Sequence, residues 1–241
     1  MIDVSCFVGP GPLVAPELST PDAVGLMLGR AGVMRAGVSP MAGLFESDPA
    51  ANDDLMTLPE FFAPIPIVDP RWPDLAARLR IYRSRGCVAV RITPGGHGYL
   101  AADAVELKRA CGVLNLVLVL QMRVADPRNL PPDLDLPHVD VADATVLARS
   151  APKVTMIVAG ARVPEFAPIL GASTVLADIS LAEEPDVLTR AVAAHGADRL
   201  LIGTHAPFLT PVAARQKLMA ARLAPADRAA VRQYNAERLG L

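Results

Sequence analysis

Polar side chains that could carry out chemistry stand where short apolar stretches of this sequence end. His205 ends a predicted strand within the segment IGTHAPF, and Pro207 stops that strand from continuing beyond it. An imidazole has an ordinary pKa of about 6.5, so His205 is a candidate general acid or base. His97, in the turn PGGHGY, is a second candidate, with an exposed and idle imidazole as the alternative.

The segment LQMRVADPR places several charged groups within a few residues of one another. Gln121 and Arg123 share one face of a predicted strand because strand side chains alternate sides, and Asp126 and Arg128 follow. Guanidinium groups form paired hydrogen bonds with carboxylates, so this segment could hold an anionic substrate. The alternative is an internal arginine–aspartate pair that only pins the loop.

Two further strands contribute polar groups. Arg91 lies at the end of the predicted fourth strand, and Ser5 shares a face of the first strand with Asp3 and Phe7. Ser5 lacks the flanking glycines of a Gly-x-Ser-x-Gly nucleophile elbow, so we assign it to substrate binding rather than to nucleophilic attack.

The elements that must position these groups alternate between apolar strands and helical stretches. The strands are continuously apolar, as expected of parallel strands that are covered on both faces. They are predicted at Ile2–Val8, Val33–Val38, Phe62–Val68, Val88–Ile92, Leu116–Met122, Val154–Val158, Thr174–Ile179 and Leu200–Ile202. Helices are predicted from Thr20 to about Arg30 and at Pro73–Arg85, Ala101–Ala110, Asp143–Ser150, Val163–Leu170, Glu184–His195, Pro211–Leu223 and Pro225–Arg238.

Eight strands with intervening helices in 241 residues predict a single (β/α)8 TIM barrel, an α/β fold, that spans residues 1–241. In such a barrel the carboxyl ends of the strands carry the active site. The two loop-like stretches, Phe45–Glu60 and Ala125–Pro137, follow strands and would lie on that rim.

Composition excludes several classes of function. The chain has 23 Lys and Arg against 25 Asp and Glu with no basic block, so no nucleic-acid partner is expected. The longest nearly uninterrupted apolar run, Val113–Leu120, is shorter than the roughly 20 residues that cross a bilayer, and no leader pattern opens the sequence. We therefore expect a soluble cytoplasmic protein without a membrane partner. Its three cysteines lack any CxxC spacing, which favours buried free thiols.

Four segments, in order along nearly the whole chain, resemble motifs of the amidohydrolase-related superfamily. The branch concerned includes aminocarboxymuconate-semialdehyde decarboxylase and many metal-dependent hydrolases. IDVSCFVG resembles I-D-x-H-x-H-x-G, and PIPIVDP followed by GCVAVRITP resembles the pattern of the middle of the barrel. DRLLIGTHAPF resembles D-R-[IL]-L-[FY]-G-[ST]-D-x-P, and YNAERLGL resembles the closing motif. The resemblance implies a TIM barrel and a hydrolase or decarboxylase.

The departures from the superfamily pattern fall on its metal ligands. Members that bind metal carry two histidines on the first strand, one on the fifth, often one on the sixth, and an aspartate that ends the eighth. The matching positions here are Ser5 and Phe7, Gln121 or Arg123, Ala159 and Gly160, and His205. Phenylalanine cannot ligate a metal, and zinc prefers Cys, His or carboxylate ligands, so we expect no cofactor. Zinc held by His205 and His97 with Asp3, Asp178 or Cys6 is the alternative.

TPGGHGY, LQMRVADPR and THAPF also resemble a smaller group of these barrels that lacks the His-x-His clamp. That resemblance implies a site in place of the metal residues, and it adds Tyr99 to the residues named above.

The leading hypothesis is an enzyme that hydrolyses or decarboxylates a small anionic substrate. Its predicted catalytic residues are His205, His97 and Asp126, and its predicted substrate-binding residues are Arg123, Arg128, Gln121, Tyr99, Arg91 and Ser5. The alternative is a non-catalytic barrel that binds a ligand or stabilises a partner. A homodimer is compatible with the superfamily and with the apolar composition.

Overall fold

The barrel wall consists of eight short parallel strands. The computed structural model describes residues 1–126, 130–131, 134, 136–172 and 174–241. The strands are β1 Ile2–Val8, β2 Arg35–Pro40, β3 Phe62–Pro64, β4 Ala89–Ile92, β5 Val117–Gln121, β6 Met156–Ala159, β7 Val175–Asp178 and β8 Leu200–Leu201. Each lies within or next to its predicted range, and β2 is displaced by two residues toward the C-terminus.

Backbone hydrogen bonds close the strands into a ring. β1, β2 and β3 pair in that order, and β4 to β8 pair in sequence order. Between the two groups, Val68 N donates to Arg91 O and Arg91 N donates to Pro66 O, both at 2.8 Å. On the other side, Val4 N donates to Ile202 O at 2.9 Å, which joins β8 to β1. The predicted (β/α)8 barrel is therefore confirmed.

Helices follow the strands and form the outer layer. They are α1 Pro21–Arg30, α2 Leu75–Ser84, α3 Pro94–His97, α4 Val105–Val113, α5 Val141–Arg149, α6 Val163–Leu170, α7 Val187–His195, α8 Pro211–Ala220, α9 Pro225–Ala229 and α10 Asn235–Glu237. A π-helical turn, Ala230–Tyr234, separates α9 from α10, so the single helix predicted there is interrupted. Short 3₁₀ turns lie at Pro16–Leu18, Ala42–Leu44, Pro49–Thr57, Ala101–Ala104 and Ala197–Arg199.

Side-chain caps set where two of these helices begin. The Thr20 hydroxyl accepts a hydrogen bond from Ala23 N, as the sequence predicts for the start of α1. The Asp140 carboxylate accepts from the amides of Ala142 and Asp143, so α5 begins at Val141, two residues before the predicted start. Sequence reasoning missed this second cap.

The strand side chains divide between the barrel interior and the layer under the helices. On β5, Val117 and Val119 pack inside the barrel, whereas Leu118 and Leu120 pack against the helical layer. On β1, the pairing register shifts between Asp3 and Cys6, so the strict alternation expected of Asp3, Ser5 and Phe7 is interrupted. The Asp3 carboxylate accepts from Ser5 N at 2.9 Å at this irregularity.

Cys6, Cys87 and Cys111 are free and buried, which confirms the prediction for the cysteines, and Cys6 packs in the helical layer as expected. In the part of the chain that the structure describes, no helix is long and apolar enough to cross a membrane.

A buried lysine connects two of the outer helices. Lys108 on α4 is fully buried, and its Nζ donates to the carbonyls of Leu147, Ala148 and Ser150 at 2.6 to 3.0 Å. These carbonyls belong to the end of α5, where a helix lacks internal donors and favours a cation.

Replacing Lys108 by Met should lower the free energy of unfolding by about 2–3 kcal/mol, because the α5 carbonyls would lose a charged donor while they stay buried. Lys153→Met, at an exposed lysine, is the matched control and should change stability by less than about 0.5 kcal/mol. Urea unfolding of both variants measures the difference. Equal stability of the two variants would contradict the capping role.

Candidate functional site

A pocket of about 340 Å³ opens at the carboxyl ends of the strands. Its apolar walls include Leu13, Val14, Leu18, Leu181, Phe208 and Leu209, and its polar lining includes Arg123, Asp126, Arg162, Glu183 and His205. Ligand sites commonly combine such apolar walls with a few polar groups. This is the rim where the sequence predicts the active site.

His205 lines this pocket and is fully buried. Its backbone N donates to Ser5 O at 2.8 Å, and its φ of +58° turns the chain out of the direction of β8. The ring contacts Phe7 and Phe208, with centroid separations of 5.1 and 5.4 Å. Two aromatic neighbours therefore fix the ring in place.

The hydrogen bonds of the His205 ring determine its tautomer. Its Nε2 lies 2.5 Å from Val124 O, and a carbonyl can only accept, so Nε2 carries the hydrogen. Nδ1 has no hydrogen-bond partner among the residues that the structure describes, so the neutral ring offers a lone pair there. Burial lowers the pKa of His205 to about 4, which corrects the ordinary value used in the sequence analysis.

Arg91 is fully buried, and side chains of three other strands surround it. Its Nε donates to Ser39 Oγ at 2.9 Å, and its Nη1 donates to Ser5 Oγ at 3.2 Å and to Gln121 Oε1. Its Cζ lies 4.9 Å from the centroid of the Phe7 ring. Ser5 and Gln121, predicted to bind substrate, are thus hydrogen-bonded to another predicted member of the site, and the three form one buried cluster.

Asp178, at the end of β7, belongs to the same region. Its Oδ1 accepts from Gly160 N, Ser180 N and Ser180 Oγ, whereas Oδ2 is buried and unpartnered within the described residues. A Cβ on Gly203 would lie 2.4 Å from Oδ2, so only glycine leaves room for the carboxylate there. The sequence analysis considered Asp178 only as a substitute metal ligand.

The charged groups of LQMRVADPR find partners elsewhere in the chain. Arg123 binds both carboxylate oxygens of Glu165 on α6, at 2.8 and 2.5 Å. Asp126 accepts from Arg162 Nη2 at 3.0 Å. Neither Glu165 nor Arg162 was identified from the sequence, because nothing local marks a partner about 40 residues away. Arg128 lies outside the described residues.

His97 and Tyr99 lie outside the pocket lining, in a separate cluster. His97 Nε2 donates to Gly43 O at 2.9 Å, and its Nδ1 lies 3.6 Å from Asp69 Oδ2. Arg71 binds Asp69 through Nε and Nη2 and lies over the Tyr99 ring. The structure therefore separates the predicted site residues into a pocket, a buried cluster beneath it and this third group.

Burial and charge shift the pKa values in this third group. Burial lowers the pKa of His97, although Gly43 O and the charge of Asp69 act in the opposite direction. Burial raises the pKa of Tyr99 well above its ordinary value. Burial opposes ionisation of Asp69, but hydrogen bonds from Arg71 and Ser47 outweigh it and lower the pKa to about 2. At neutral pH this group holds a neutral imidazole beside an arginine–aspartate ion pair.

The two glycines of PGGHGY are required by close backbone contacts. A Cβ on Gly95 would lie 1.9 Å from Pro137 O, and one on Gly96 would lie 1.8 Å from Leu44 O. Any larger residue would push α3 away from both neighbours, so these glycines let α3 pack against the rim.

Comparison with known proteins assigns the chain to a family. The sequence model described as Amidohydrolase matches residues 10–239, nearly the whole chain. The chain belongs to the amidohydrolase family. No curated protein sequence gives a significant match.

Solved structures show that this chain shares its fold with decarboxylases. A 2,6-dihydroxybenzoate decarboxylase complexed with 2,6-dihydroxybenzoate has a TM-score of 0.75 and 17% identity, covering 99% of this chain and 98% of its own. A 5-carboxyvanillate decarboxylase from Sphingomonas paucimobilis has a TM-score of 0.76 and 13% identity, covering 99% and 98%. A dihydroxybenzoic acid decarboxylase from Polaromonas sp. JS666, with bound manganese and 2-nitroresorcinol, has a TM-score of 0.77 and 16% identity, covering 99% and 96%.

The centre of this barrel does not fit a divalent metal. Ser5, Phe7 and Gln121, which match superfamily ligand positions, all contact the Arg91 guanidinium. Among the described residues, no group of three His, Cys, Asp or Glu side chains is placed to hold a metal ion. A divalent ion at this position would lie beside the buried Arg91 guanidinium rather than among metal ligands.

Asp3 joins the first and last strands beside this cluster. Its carboxylate accepts from Thr204 N at 2.9 Å and from Thr204 Oγ1 at 2.5 Å. Burial raises the pKa of Asp3 to about 6, hydrogen bonds from Thr204 and Ser5 act against this shift, and the charge of Asp178 adds to it.

Replacing Asp3 by Asn should change the pH dependence of stability. Asp3 titrates near 3.8 when unfolded and near 6 when folded, so its contribution to stability is present below pH 3.8 and is lost as the pH rises to 6. Asn stays neutral, so the stability of the variant relative to wild type should rise by about 2 kcal/mol between pH 4 and 7. Urea unfolding across that range measures it.

Asp53→Asn, at an exposed aspartate, is the control for a change of net charge. His205 and His97 titrate in both proteins, so their contributions cancel in the comparison. A difference between D3N and wild type that stays constant with pH would contradict the raised pKa of Asp3.

Proposed function

We propose that this amidohydrolase is an enzyme that hydrolyses or decarboxylates a small carboxylate substrate in the pocket at the barrel mouth. One observation carries the proposal: His205 lines a pocket with apolar walls and an arginine at its rim, and its buried Nδ1 has no hydrogen-bond partner among the described residues. A positioned proton acceptor, a shaped cavity and a group that binds anions are the parts that either reaction needs.

The pocket favours a substrate with an apolar or aromatic body. A volume of about 340 Å³ lies near the lower end of typical small-molecule sites, which suits a single ring with its substituents. Phe208 and the leucines of the wall would contact the ring faces. The decarboxylase structures of the same fold support the choice of hydroxylated aromatic acids as first candidates.

Arg162 is the side chain best placed to bind the substrate carboxylate. It lines the pocket, its side chain is 47% exposed, and Asp126 holds it through Nη2. Arg123 is 5% exposed and already pairs with Glu165, so we assign it to shaping the site. Asp126 then orients Arg162 rather than transferring a proton.

His205 would act as the proton acceptor. The hydrogen bond from Nε2 to Val124 O fixes the tautomer, so Nδ1 can take a proton. In hydrolysis the proton would come from a water molecule. In decarboxylation it would come from a substrate hydroxyl and would be returned to the ring carbon that loses CO₂. The charge of Asp178 favours the imidazolium that forms, while Arg91 disfavours it. No step requires His97 or Tyr99, which lie in the third group.

A substrate screen with two variants tests the assignment. Hydroxybenzoates, including 2,6-dihydroxybenzoate, would be followed by CO₂ release, and aryl and alkyl esters of small diacids by release of the free acid. For the substrate found, Arg162→Met should raise KM about 10–100-fold, because it removes a charge-assisted hydrogen bond. His205→Asn should lower kcat about 10²–10⁴-fold, and Asn tolerates the positive φ at this position.

Arg222→Met is the matched control for Arg162→Met. Arg222 also pairs with an aspartate, Asp186, but it is exposed and lies outside the pocket lining. Its variant should keep wild-type kcat and KM. Wild-type activity in both R162M and H205N would overturn the proposal, as would ligands that stabilise the protein without turnover.

The pH dependence of kcat/KM should reflect the lowered pKa of His205. The neutral ring is the active form, so activity should persist through pH 6.5 and fall only as the pH approaches about 4. Measurement of kcat/KM between pH 4.5 and 8, with circular dichroism to confirm folding, checks this. A fall centred near pH 6.5 would show that a histidine with an ordinary pKa carries the reaction.

A cytoplasmic location and a homodimer stay predictions of the sequence. Gel filtration with light scattering tests the second.

A further inference from the structure

The positive charge at the centre of the barrel belongs to a buried arginine side chain. Arg91 on β4 is fully buried, and its contacts come from β1, β2 and β5, so the guanidinium lies on the barrel axis side of the wall. Ser39 completes the arrangement, because its hydroxyl accepts from Arg91 and donates to Ile65 O at 2.7 Å. The guanidinium is therefore held through Nε and Nη1, whereas Nη2 has no hydrogen-bond partner among the described residues.

The surroundings of this guanidinium coincide with the ligand positions of the superfamily motif. Ser5 and Phe7 stand at the two histidine positions of the first strand, and Gln121 stands at one of the two matches for the histidine of the fifth. Ser5 and Gln121 accept hydrogen bonds from Nη1, and the Phe7 ring faces the guanidinium carbon. A hydroxyl, an amide oxygen and an aromatic face all stabilise an organic cation, whereas none is a good ligand for zinc.

We propose that the Arg91 guanidinium takes the place of the divalent cation in this barrel and excludes a metal ion from its centre. The side chain supplies a fixed single positive charge to the interior. The inference concerns metal binding, so it stands or falls independently of the proposed activity.

The titratable groups around Arg91 include carboxylates, which favour a positive charge. Asp178 and Asp3 are the buried carboxylates that interact with its charge, and Cys6 and His205 are the other titratable groups near it. Burial lowers the pKa of Arg91 to about 10, and the charges of Asp178 and Asp3 oppose this shift, so the side chain stays charged at neutral pH. A divalent ion beside it would add like-charge repulsion in a poorly screened interior.

The first experiment uses the unmodified protein. Elemental analysis of protein purified without chelators should find zinc, manganese and iron far below one ion per chain. Titration with Zn²⁺ or Mn²⁺ should leave the melting temperature unchanged, because a ligand that binds only the folded state would raise it. One tightly held ion per chain, with stabilisation on titration, would overturn the inference.

The second experiment asks whether Arg91 itself is what excludes the metal. The triple variant Ser5→His, Phe7→His, Gln121→His restores histidines to the matched positions and keeps Arg91. The quadruple variant adds Arg91→Ala. We expect the quadruple variant to bind one Zn²⁺ per chain, with a higher melting temperature when loaded, and the triple variant to bind none.

Binding by both variants, or by neither, would contradict the proposal, since either result separates metal binding from the presence of Arg91. Circular dichroism of both variants confirms folding. If either variant fails to fold, the metal content of the wild-type protein alone tests the proposal. If the wild-type protein turns over no substrate in the screen and also holds no metal, the proposed function is overturned and this inference stands.

Discussion

The buried guanidinium of Arg91 is the interaction on which the rest of this barrel mouth depends. A charge removed from water is costly unless hydrogen bonds and opposite charges surround it. Ser5, Ser39 and Gln121 supply the hydrogen bonds, Phe7 supplies an aromatic face, and Asp178 lies near enough to interact with the charge. These residues come from β1, β2, β5 and β7, so only the closed barrel brings them together around the guanidinium.

This set also explains the state of His205. Burial next to a permanent cation disfavours the imidazolium, and Val124 O fixes which nitrogen carries the hydrogen. The ring is therefore a neutral acceptor at physiological pH. In an ordinary surface environment the same residue would titrate near pH 6.5 and would change its role across the physiological range.

The departures from the superfamily motif have a common physical basis. Ser5 and Gln121 in place of histidines leave oxygen atoms that accept hydrogen bonds, and Phe7 leaves a flat, electron-rich face. Each replacement suits a guanidinium and weakens a metal site. Glu165 and Arg162 add a further layer, because they form ion pairs with Arg123 and Asp126 at the rim.

Local sequence patterns predict the strands and the start of the first helix. Continuous Val, Ile and Leu runs placed all eight strands, and Thr20 placed the start of α1, because these features depend on local periodicity and on caps within one turn. The position of polar residues at strand ends also identified His205, Arg91, Gln121 and Arg123 as a group at one rim.

The pairing of those residues depends on the tertiary structure. Arg123 binds Glu165 and Asp126 binds Arg162, across 42 and 36 residues of sequence, and His97 joins Asp69 rather than His205. Closing the barrel brings strand ends together in an order that no local pattern encodes. It also removes Arg91 and His205 from water, and that burial lowers the pKa of both side chains.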